Sequence, residues 1–147
     1  MLFRSRSIGQ HGNRLPTRQG LADQTPRSGT VALTTANTTY SDTPTNTVAL
    51  AAAGANGGRI TKISAIPRAT VTATQVQLFR SLDSGVTKRL FDTALMAAYT
   101  MAQTTEAPTT DFGYSDTNPI IMAAGEIIYA AIGVSGNVAV QAEWADY

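Results

Sequence analysis

Apolar and polar positions alternate in short runs along most of the chain, and this pattern predicts β-strands. From Thr30 onward, stretches rich in Thr, Val and Ile are separated by clusters of Gly, Pro, Asn and Asp, which are turn-forming residues. One segment, residues 92–103, is open to two interpretations, because its Ala, Leu and Met favour a short helix while tertiary contacts could extend it as strand or loop. Strands are predicted near residues 30–36, 46–53, 59–66, 70–80, 86–92, 109–114, 119–122, 125–134 and 137–146.

The last two predicted strands indicate where the core should lie. Side chains in 137–146 alternate between an apolar and a polar face, so the apolar face is predicted to point inward. The 125–134 segment is apolar at nearly every position, which predicts cover on both faces, by a second sheet inside and by another subunit outside. Residues 135–137 (Ser-Gly-Asn) predict a hairpin that joins the two strands. The core residues predicted from these strands are Val138, Val140, Trp144, Ile127 and Tyr129.

Turn chemistry and strand number together predict the fold class. The Asp-Ser-Gly sequence at residues 83–85 suits a tight hairpin in which Gly85 takes a positive φ. About eight short antiparallel strands joined by irregular loops predict an all-β antiparallel sandwich, with the jelly roll as the expected form. We therefore expect one β-sandwich domain over residues 30–147, preceded by an extended arm over residues 1–29.

Residues 1–29 differ from the rest of the chain in charge and in pattern. They carry five arginines and one acid, whereas residues 30–147 carry six Lys or Arg against nine Asp or Glu. Because Gly and Pro interrupt any long helix, we expect an extended arm that lies across an acidic surface of a neighbouring protein. A solubilising tail, a mitochondrial transit peptide and a nucleic-acid tail stay open as alternatives, although the arginines are sparse for binding nucleic acid. The arginines predicted to contact the partner are Arg4, Arg6, Arg14, Arg18 and Arg27.

The composition indicates a thin core. The chain of 147 residues holds 22 Thr and 23 Ala, but only 30 Leu, Ile, Val and Phe together. A domain of this size buries only about two thirds of its unfolded surface by itself. We therefore expect part of the stability to come from contacts with other subunits, in a homo-oligomer that is a dimer or a trimer.

Candidate catalytic and metal-binding residues are few. The chain has no cysteine and one histidine, His11, which excludes disulfides, thiolate nucleophiles, zinc clusters and a triad built on the sandwich. Asp111 and Asp116 are a weak calcium candidate, because their spacing does not match an EF-hand loop and turn formation accounts for them. We therefore predict no enzyme activity, no cofactor and no metal. No apolar run approaches the ~20 residues of a membrane span, so no membrane partner is predicted.

Three segments of the chain resemble a known family. They read IPRATVTATQVQLFRS (66–81), LMAAYTMAQTTEAPTTDFGYSDTNPI (95–120) and AAGEIIYAAIGVSGNVAVQAEWADY (123–147). These segments, and the overall character of the sequence over residues 45–147, resemble the capsid decoration or cement proteins of tailed bacteriophages and prophages. The resemblance does not extend to the arm. It implies a jelly-roll domain bound in many copies to the outside of a capsid, where it bridges adjacent capsomers, and it carries over no catalytic motif.

The residues and the resemblance together predict a virion structural protein. We expect it to assemble in the cytoplasm of a host bacterium, to bind the major capsid protein on the capsid exterior and to cement adjacent capsomers against internal pressure. A β-sandwich module that recognises a carbohydrate or a receptor, on a phage fibre or tail, stays open as the alternative. That module would need an exposed aromatic platform, or a calcium site around Asp111 and Asp116.

Overall fold

A computed structural model describes residues 24–147, which form two antiparallel β-sheets packed against each other. No helix occurs in this part of the chain, and each of its strands overlaps a strand predicted from the sequence. The ambiguous segment 92–103 continues as strand to Met96 and is irregular beyond it. The strands are β1 (Thr25–Leu33), β2 (Val48–Ala52), β3 (Gly58–Pro67), β4 (Thr74–Ser81), β5 (Arg89–Met96), β6 (Thr110–Asp111), β7 (Ile120–Met122), β8 (Ile127–Ile132) and β9 (Val138–Asp146).

The strand order is that of a jelly roll. The first sheet has the order β1-β9-β3-β6, with the short β7 also pairing with β3, and the second sheet has the order β2-β8-β4-β5. When β7 is set aside, eight strands remain in two four-stranded sheets, with β1 next to β2 at one edge and β5 next to β6 at the other. The predicted all-β antiparallel sandwich is therefore confirmed.

The core lies between the two sheets and is built from small and medium-sized side chains. Val138 and Val140 are fully buried in it, as predicted from the alternation of the last strand. Trp144 is half-buried and packs against the same cluster from the end of β9. Other members with no exposed surface are Ile60, Ile63, Val76, Leu78, Ile128, Ala130, Ile132 and Ala142.

Two of the predicted core residues lie on the other side of β8. Ile127 pairs with Ser81 and Tyr129 pairs with Phe79 of β4, and both pairs point away from the first sheet, because Ile128 between them is buried in the core. Ile127 and Tyr129 are half-buried. Since side chains alternate between the faces of a strand, an apolar run does not show which half faces inward, and the structure moves both residues from the predicted core to the outer face.

The connection between β1 and β2, residues 34–47, covers this outer face. Asn37 is fully buried there and donates a hydrogen bond to Oε1 of Gln77 at 2.8 Å. Lys88, which binds the same connection through its backbone and its side chain, places its ammonium group 4.4 Å from the centre of the Tyr129 ring. Among the described residues, β8 is thus covered on both faces by its own chain, whereas another subunit was predicted outside.

The two predicted hairpin turns have different outcomes. Residues 83–85 lie in the connection between β4 and the antiparallel β5, and Gly85 has a φ of 89°, as predicted; the connection is longer than the tight hairpin predicted, because it spans residues 82–88. Residues 135–137 do not form the predicted hairpin, because β8 and β9 belong to different sheets and the segment crosses between them. The alternation of a strand shows which face is buried but not which strand is its partner, and this accounts for the error.

Candidate binding surfaces

Four of the five arginines predicted to contact a partner lie outside the described residues, namely Arg4, Arg6, Arg14 and Arg18. The fifth, Arg27, lies on β1, and its Nε donates to Oδ2 of Asp146 at 2.8 Å while about half of its side chain stays exposed. β1 begins five residues before the predicted domain boundary because all nine of its residues pair with β9. Arg27 therefore binds its own chain at a position where a contact to another protein was predicted.

An open cleft of about 530 Å³ lies across β1, β9 and β3 on the side of the first sheet that faces away from the second. Its lining is mostly polar, and it begins at Gln24, where the described part of the chain starts. We call this surface the outer cleft. It is formed by Gln24, Pro26, Arg27, Ser28, Arg59, Thr61, Asp116, Gln141, Glu143, Trp144 and Ala145.

The charges of the outer cleft are partly matched within the chain. Arg59 donates from Nη2 to both the carboxylate and the backbone carbonyl of Asp116, each at 3.0 Å. Glu143 has no ion-pair partner among residues 24–147. Nε of Arg59 and Nε1 of Trp144 are buried donors without an acceptor in the same part of the chain. Because these two atoms are buried, a partner cannot reach them. The accessible polar groups that line the cleft nevertheless suit a polar partner better than an apolar one.

The two aspartates of the weak calcium candidate serve separate purposes. Asp111 accepts a hydrogen bond from the backbone N–H of Gly113 at 2.7 Å, which is the turn chemistry expected around a glycine with a φ of 85°. Asp116 binds Arg59 instead. Across residues 24–147, no three acidic or histidine side chains are grouped closely enough to hold a metal ion. The structure thus does not bring Asp111 and Asp116 together as one site.

A second surface lies at the turn between β4 and β5, on the edge of the sandwich opposite β1. Leu82 and Val86 flank this turn and are 73% and 74% exposed, although turns are usually formed by small or polar residues. We call this surface the hairpin face. It is formed by Leu82, Asp83, Val86, Arg89, Leu90 and Phe91.

Hydrogen bonds within the turn hold the hairpin face in one conformation. The N–H of Gly85 donates to Oγ of Ser81, and the N–H of Thr87 donates to Oδ1 of Asp83, each at 2.8 Å. The bond from Thr87 and a further one from the hydroxyl of Ser81 hold the pKa of Asp83 below its ordinary value. The backbone of the turn is therefore held in one conformation, and it presents two aliphatic side chains and one ionised carboxylate to solvent.

A cavity of about 500 Å³ opens beside Leu82 of the hairpin face. Leu90 and Phe91 supply its apolar walls, and Arg80 and Glu126 line its base. The guanidinium carbon of Arg80 lies 5.3 Å from the centre of the Phe91 ring, which is within the range of a cation–π interaction. This cavity combines an apolar wall with a charged base, which is typical of a surface that receives a side chain of a partner.

The base of the cavity is an ion pair that is sheltered from water. Arg80 donates to both carboxylate oxygens of Glu126, and its Nη2 also donates to the backbone carbonyl of Ile121 at 2.9 Å. The Glu126 side chain is only 2% exposed. Burial raises the pKa of Glu126, but the hydrogen bonds from Arg80 and from the N–H of Ala123 outweigh burial and bring the pKa below its ordinary value. The pair therefore stays charged and fixes the ends of β4 and β8 to β7.

The sequence analysis did not identify the hairpin face, although two signals for it were present. Leu82 and Val86 stand on either side of the predicted turn, where exposed large aliphatic residues have no role in a core. Arg80 and Glu126 each adjoin an apolar strand, and charged residues in such positions are usually paired when buried. Only the fold brings these four residues to one end of the sandwich.

Comparison with known proteins gives no further guide to function. Models of protein families, curated proteins and solved structures were compared with the chain, and none of them matched. In residues 24–147 there is no helix with the length and apolar character needed to cross a membrane. The features that bear on function are therefore the two surfaces, the charge of the N-terminal residues and the resemblance of the three segments.

Proposed function

We propose that this protein is a virion structural protein that binds the outside of a tailed-bacteriophage capsid and cements adjacent capsomers. Its partner is the major capsid protein, its place is the capsid exterior, and it needs no catalysis or cofactor. It assembles onto the head in the cytoplasm of the host bacterium. Support comes from the jelly-roll sandwich, from the resemblance of residues 45–147 and from the two exposed surfaces at one end of the domain.

The observation that carries the proposal is the position of β1. This strand is at the edge of its sheet and begins at Thr25, so the chain enters the sandwich from outside the core. The preceding residues 1–23 hold four arginines and one acid, whereas residues 24–147 hold seven Lys or Arg against nine Asp or Glu. A cationic segment attached at the edge of a slightly acidic domain suits an acidic surface on another protein.

The physics of a filled capsid suits such a binder. DNA packed in a head presses outward on the shell, and a protein that spans the seam between capsomers resists their separation through buried area alone. An extended segment of 23 residues reaches up to about 80 Å, enough to cross from one subunit to the next. Ordering that segment lowers the affinity for each unit of area, and contacts made in many copies offset this loss through avidity.

The test uses purified heads that lack the protein. Full-length protein, a variant lacking residues 1–23 and a variant with Arg4, Arg6, Arg14 and Arg18 changed to Gln are added separately, and bound copies are counted by gel densitometry. A Lys62→Gln/Arg68→Gln variant is the control, because both of these residues are exposed on the sandwich. Heads with and without bound protein are then heated or shocked osmotically, and DNA release is measured.

We expect full-length protein and the control to saturate the heads and to raise the temperature of DNA release. The deletion and the four-arginine variant should lose most of their binding, and added salt should weaken the binding of full-length protein. Undiminished binding of the deletion variant would remove the N-terminal segment from the account. Heads that release DNA at the same temperature with and without bound protein would reject cementing itself.

The polar lining of the outer cleft favours a second candidate function, recognition of a carbohydrate by a domain on a fibre or tail. Gln141, Glu143 and Arg59 offer hydrogen bonds there, whereas the indole of Trp144 packs against the core on the other face of the sheet. A glycan array probed with the wild type and with a Gln141→Ala variant tests it. Selective binding that the variant loses would favour recognition, whereas the absence of glycan binding, together with saturation of heads, would favour cementing.

A further inference from the structure

We propose that the hairpin face joins two copies of this chain about a two-fold axis. The proposed function names no oligomer, and this inference goes beyond it: it assigns an interface to the homo-oligomer expected from the composition, in the free protein as well as on the capsid. The inference starts from two aliphatic residues at the β4–β5 turn, Leu82 and Val86. About three quarters of each residue is exposed. Burying such side chains yields free energy that the isolated domain does not use.

The shape of the surface suits a partner with the same shape. A projecting turn stands next to a cavity of about 500 Å³ with Leu90 and Phe91 in its walls. A two-fold axis brings the same patch of each copy against the other, so that the turn of one copy faces the cavity of its partner. Hydrogen bonds fix the turn before contact, which lowers the conformational entropy that binding would cost.

The charges of the hairpin face are also self-complementary. The face carries one exposed acid, Asp83, and one exposed base, Arg89, whose side chain is 72% exposed, and both line the same cavity. The only acid within 4 Å of Arg89 in the described part of the chain is Asp42, at 3.4 Å and itself exposed. A two-fold arrangement can place Asp83 of each copy near Arg89 of the other. A partner whose surface is only positive would repel Arg89, and a partner whose surface is only negative would repel Asp83.

Pairing between edge strands is a less favourable way to form the dimer. β5 is an edge strand, but its register against β4 shifts between Leu90 and Asp92, as in a β-bulge. A bulge twists the edge and interrupts the regular row of backbone groups that an added strand needs. In addition, the N–H of Thr93 is bonded to the carboxylate of Asp92 at 2.8 Å. We therefore assign the contact to side chains of the hairpin face.

The experiment measures the mass of the full-length protein in solution by analytical ultracentrifugation over a hundredfold range of concentration. Leu82→Asp is the test variant and Leu95→Asp is its matched control, because both leucines are 73% exposed but Leu95 lies outside the hairpin face. Arg89→Glu tests the charges, with Arg68→Glu as the control at another exposed arginine. Val86→Asp is a second apolar variant, and thermal unfolding confirms that each variant is folded.

We expect the wild type, Leu95→Asp and Arg68→Glu to form dimers. Leu82→Asp and Val86→Asp should raise the dissociation constant about 100-fold, and Arg89→Glu about tenfold, with part of the Arg89→Glu effect removed by salt. A wild type that stays monomeric, a trimer, or equal effects of Leu82→Asp and Leu95→Asp would overturn the proposal. Because the ultracentrifugation contains no capsid, a negative result there would reject the dimer and would not decide whether the protein binds heads.

Discussion

The outer cleft and the hairpin face lie at the same end of the sandwich but on opposite edges, and they differ in what they offer to a partner. Ile121 of β7 lies between them, since it pairs with Arg59 of the cleft and its carbonyl accepts a hydrogen bond from Arg80. The cleft is lined mostly by polar groups that water can satisfy. The hairpin face instead exposes large aliphatic side chains above a buried ion pair.

This difference indicates two kinds of contact. Polar surfaces bind and release partners with little change in apolar area, so their contribution depends on charge and salt. An apolar surface over a fixed turn gains free energy from dehydration, and the screening of charges by salt does not weaken this gain. Under the proposed function, the outer cleft therefore suits the capsid shell, and the hairpin face suits a second copy of the chain. If the two regions differ in this way, substitutions on the hairpin side should lower the free energy of unfolding more than substitutions in the outer cleft.

The largest effect should come from removing the buried carboxylate on the hairpin side. Glu126→Ala leaves Arg80 without its partner, which costs about 3 kcal/mol for a fully buried pair and about 2 kcal/mol here, because 38% of the Arg80 side chain is exposed. Urea unfolding measures the loss. Glu143→Gln in the outer cleft is the matched control and should change the stability by less than about 0.5 kcal/mol. Equal losses would remove the energetic difference between the two regions.

A second effect should come from the turn itself. Gly85→Ala forces a side chain into a φ of 89° and brings its Cβ against the hydroxyl of Tyr129, whereas Gly113→Ala has a similar φ of 85° and no atom within 4 Å. Both variants should lose about 1 kcal/mol from backbone strain, and Gly85→Ala should lose about 1 kcal/mol more from the collision. Thermal unfolding of the two variants measures this difference. Identical melting temperatures would show that the turn is not tightly packed.

Acid should weaken the hairpin side through Glu126. Its pKa in the folded protein lies below the ordinary value, so the ion pair stabilises the fold above the unfolded pKa of about 4.3 and loses this contribution as the pH falls through the folded pKa. The urea concentration at the midpoint of unfolding should therefore decrease when the pH is lowered below about 4. This decrease should be smaller in Glu126→Gln than in Glu143→Gln. The same acid dependence in both variants would assign the loss to other carboxylates.

The smallest effect should come from the arm side of the sandwich. Arg27→Gln removes a partly exposed ion pair with Asp146, which contributes less than about 1 kcal/mol and is screened by salt. Unfolding at low and at high salt measures it. A loss as large as that of Glu126→Ala would mean that Arg27 anchors β1, and the outer cleft would then be a structural element and not a free surface.

The sequence was sufficient for the secondary structure and insufficient for the pairing of strands. Turn residues and alternation predicted a strand overlapping each of the nine found in residues 24–147, because each signal is local. The predicted pairing of β9 with β8 was wrong, and residues 34–47 cover the outer face of β8 where another subunit was predicted. Both features depend on contacts between distant parts of the chain. β1 begins at Thr25 for the same reason, since its first residues gain their structure from pairing with β9.

The candidate surfaces were less predictable than the fold. The arginines of the arm were identified by charge, and Arg27 was then found bonded to Asp146, which is 119 positions away in the sequence. Leu82 and Val86 carried a signal in the sequence, because large aliphatic residues beside a turn have no core to join. The cavity beside them could not be predicted, since it forms only when β4, β5 and the residue that precedes β8 are brought to one end of the sandwich.

The most direct test of the account is electron cryomicroscopy of the tailed-phage virions in which we propose that this protein is assembled. The account predicts sandwich-shaped density outside the shell at the seams between capsomers, with residues 1–23 continuing from Thr25 onto the major capsid protein and with neighbouring copies in contact through Leu82 and Val86. Heads that lack this density, or the same domain found on a fibre or tail, would contradict the account.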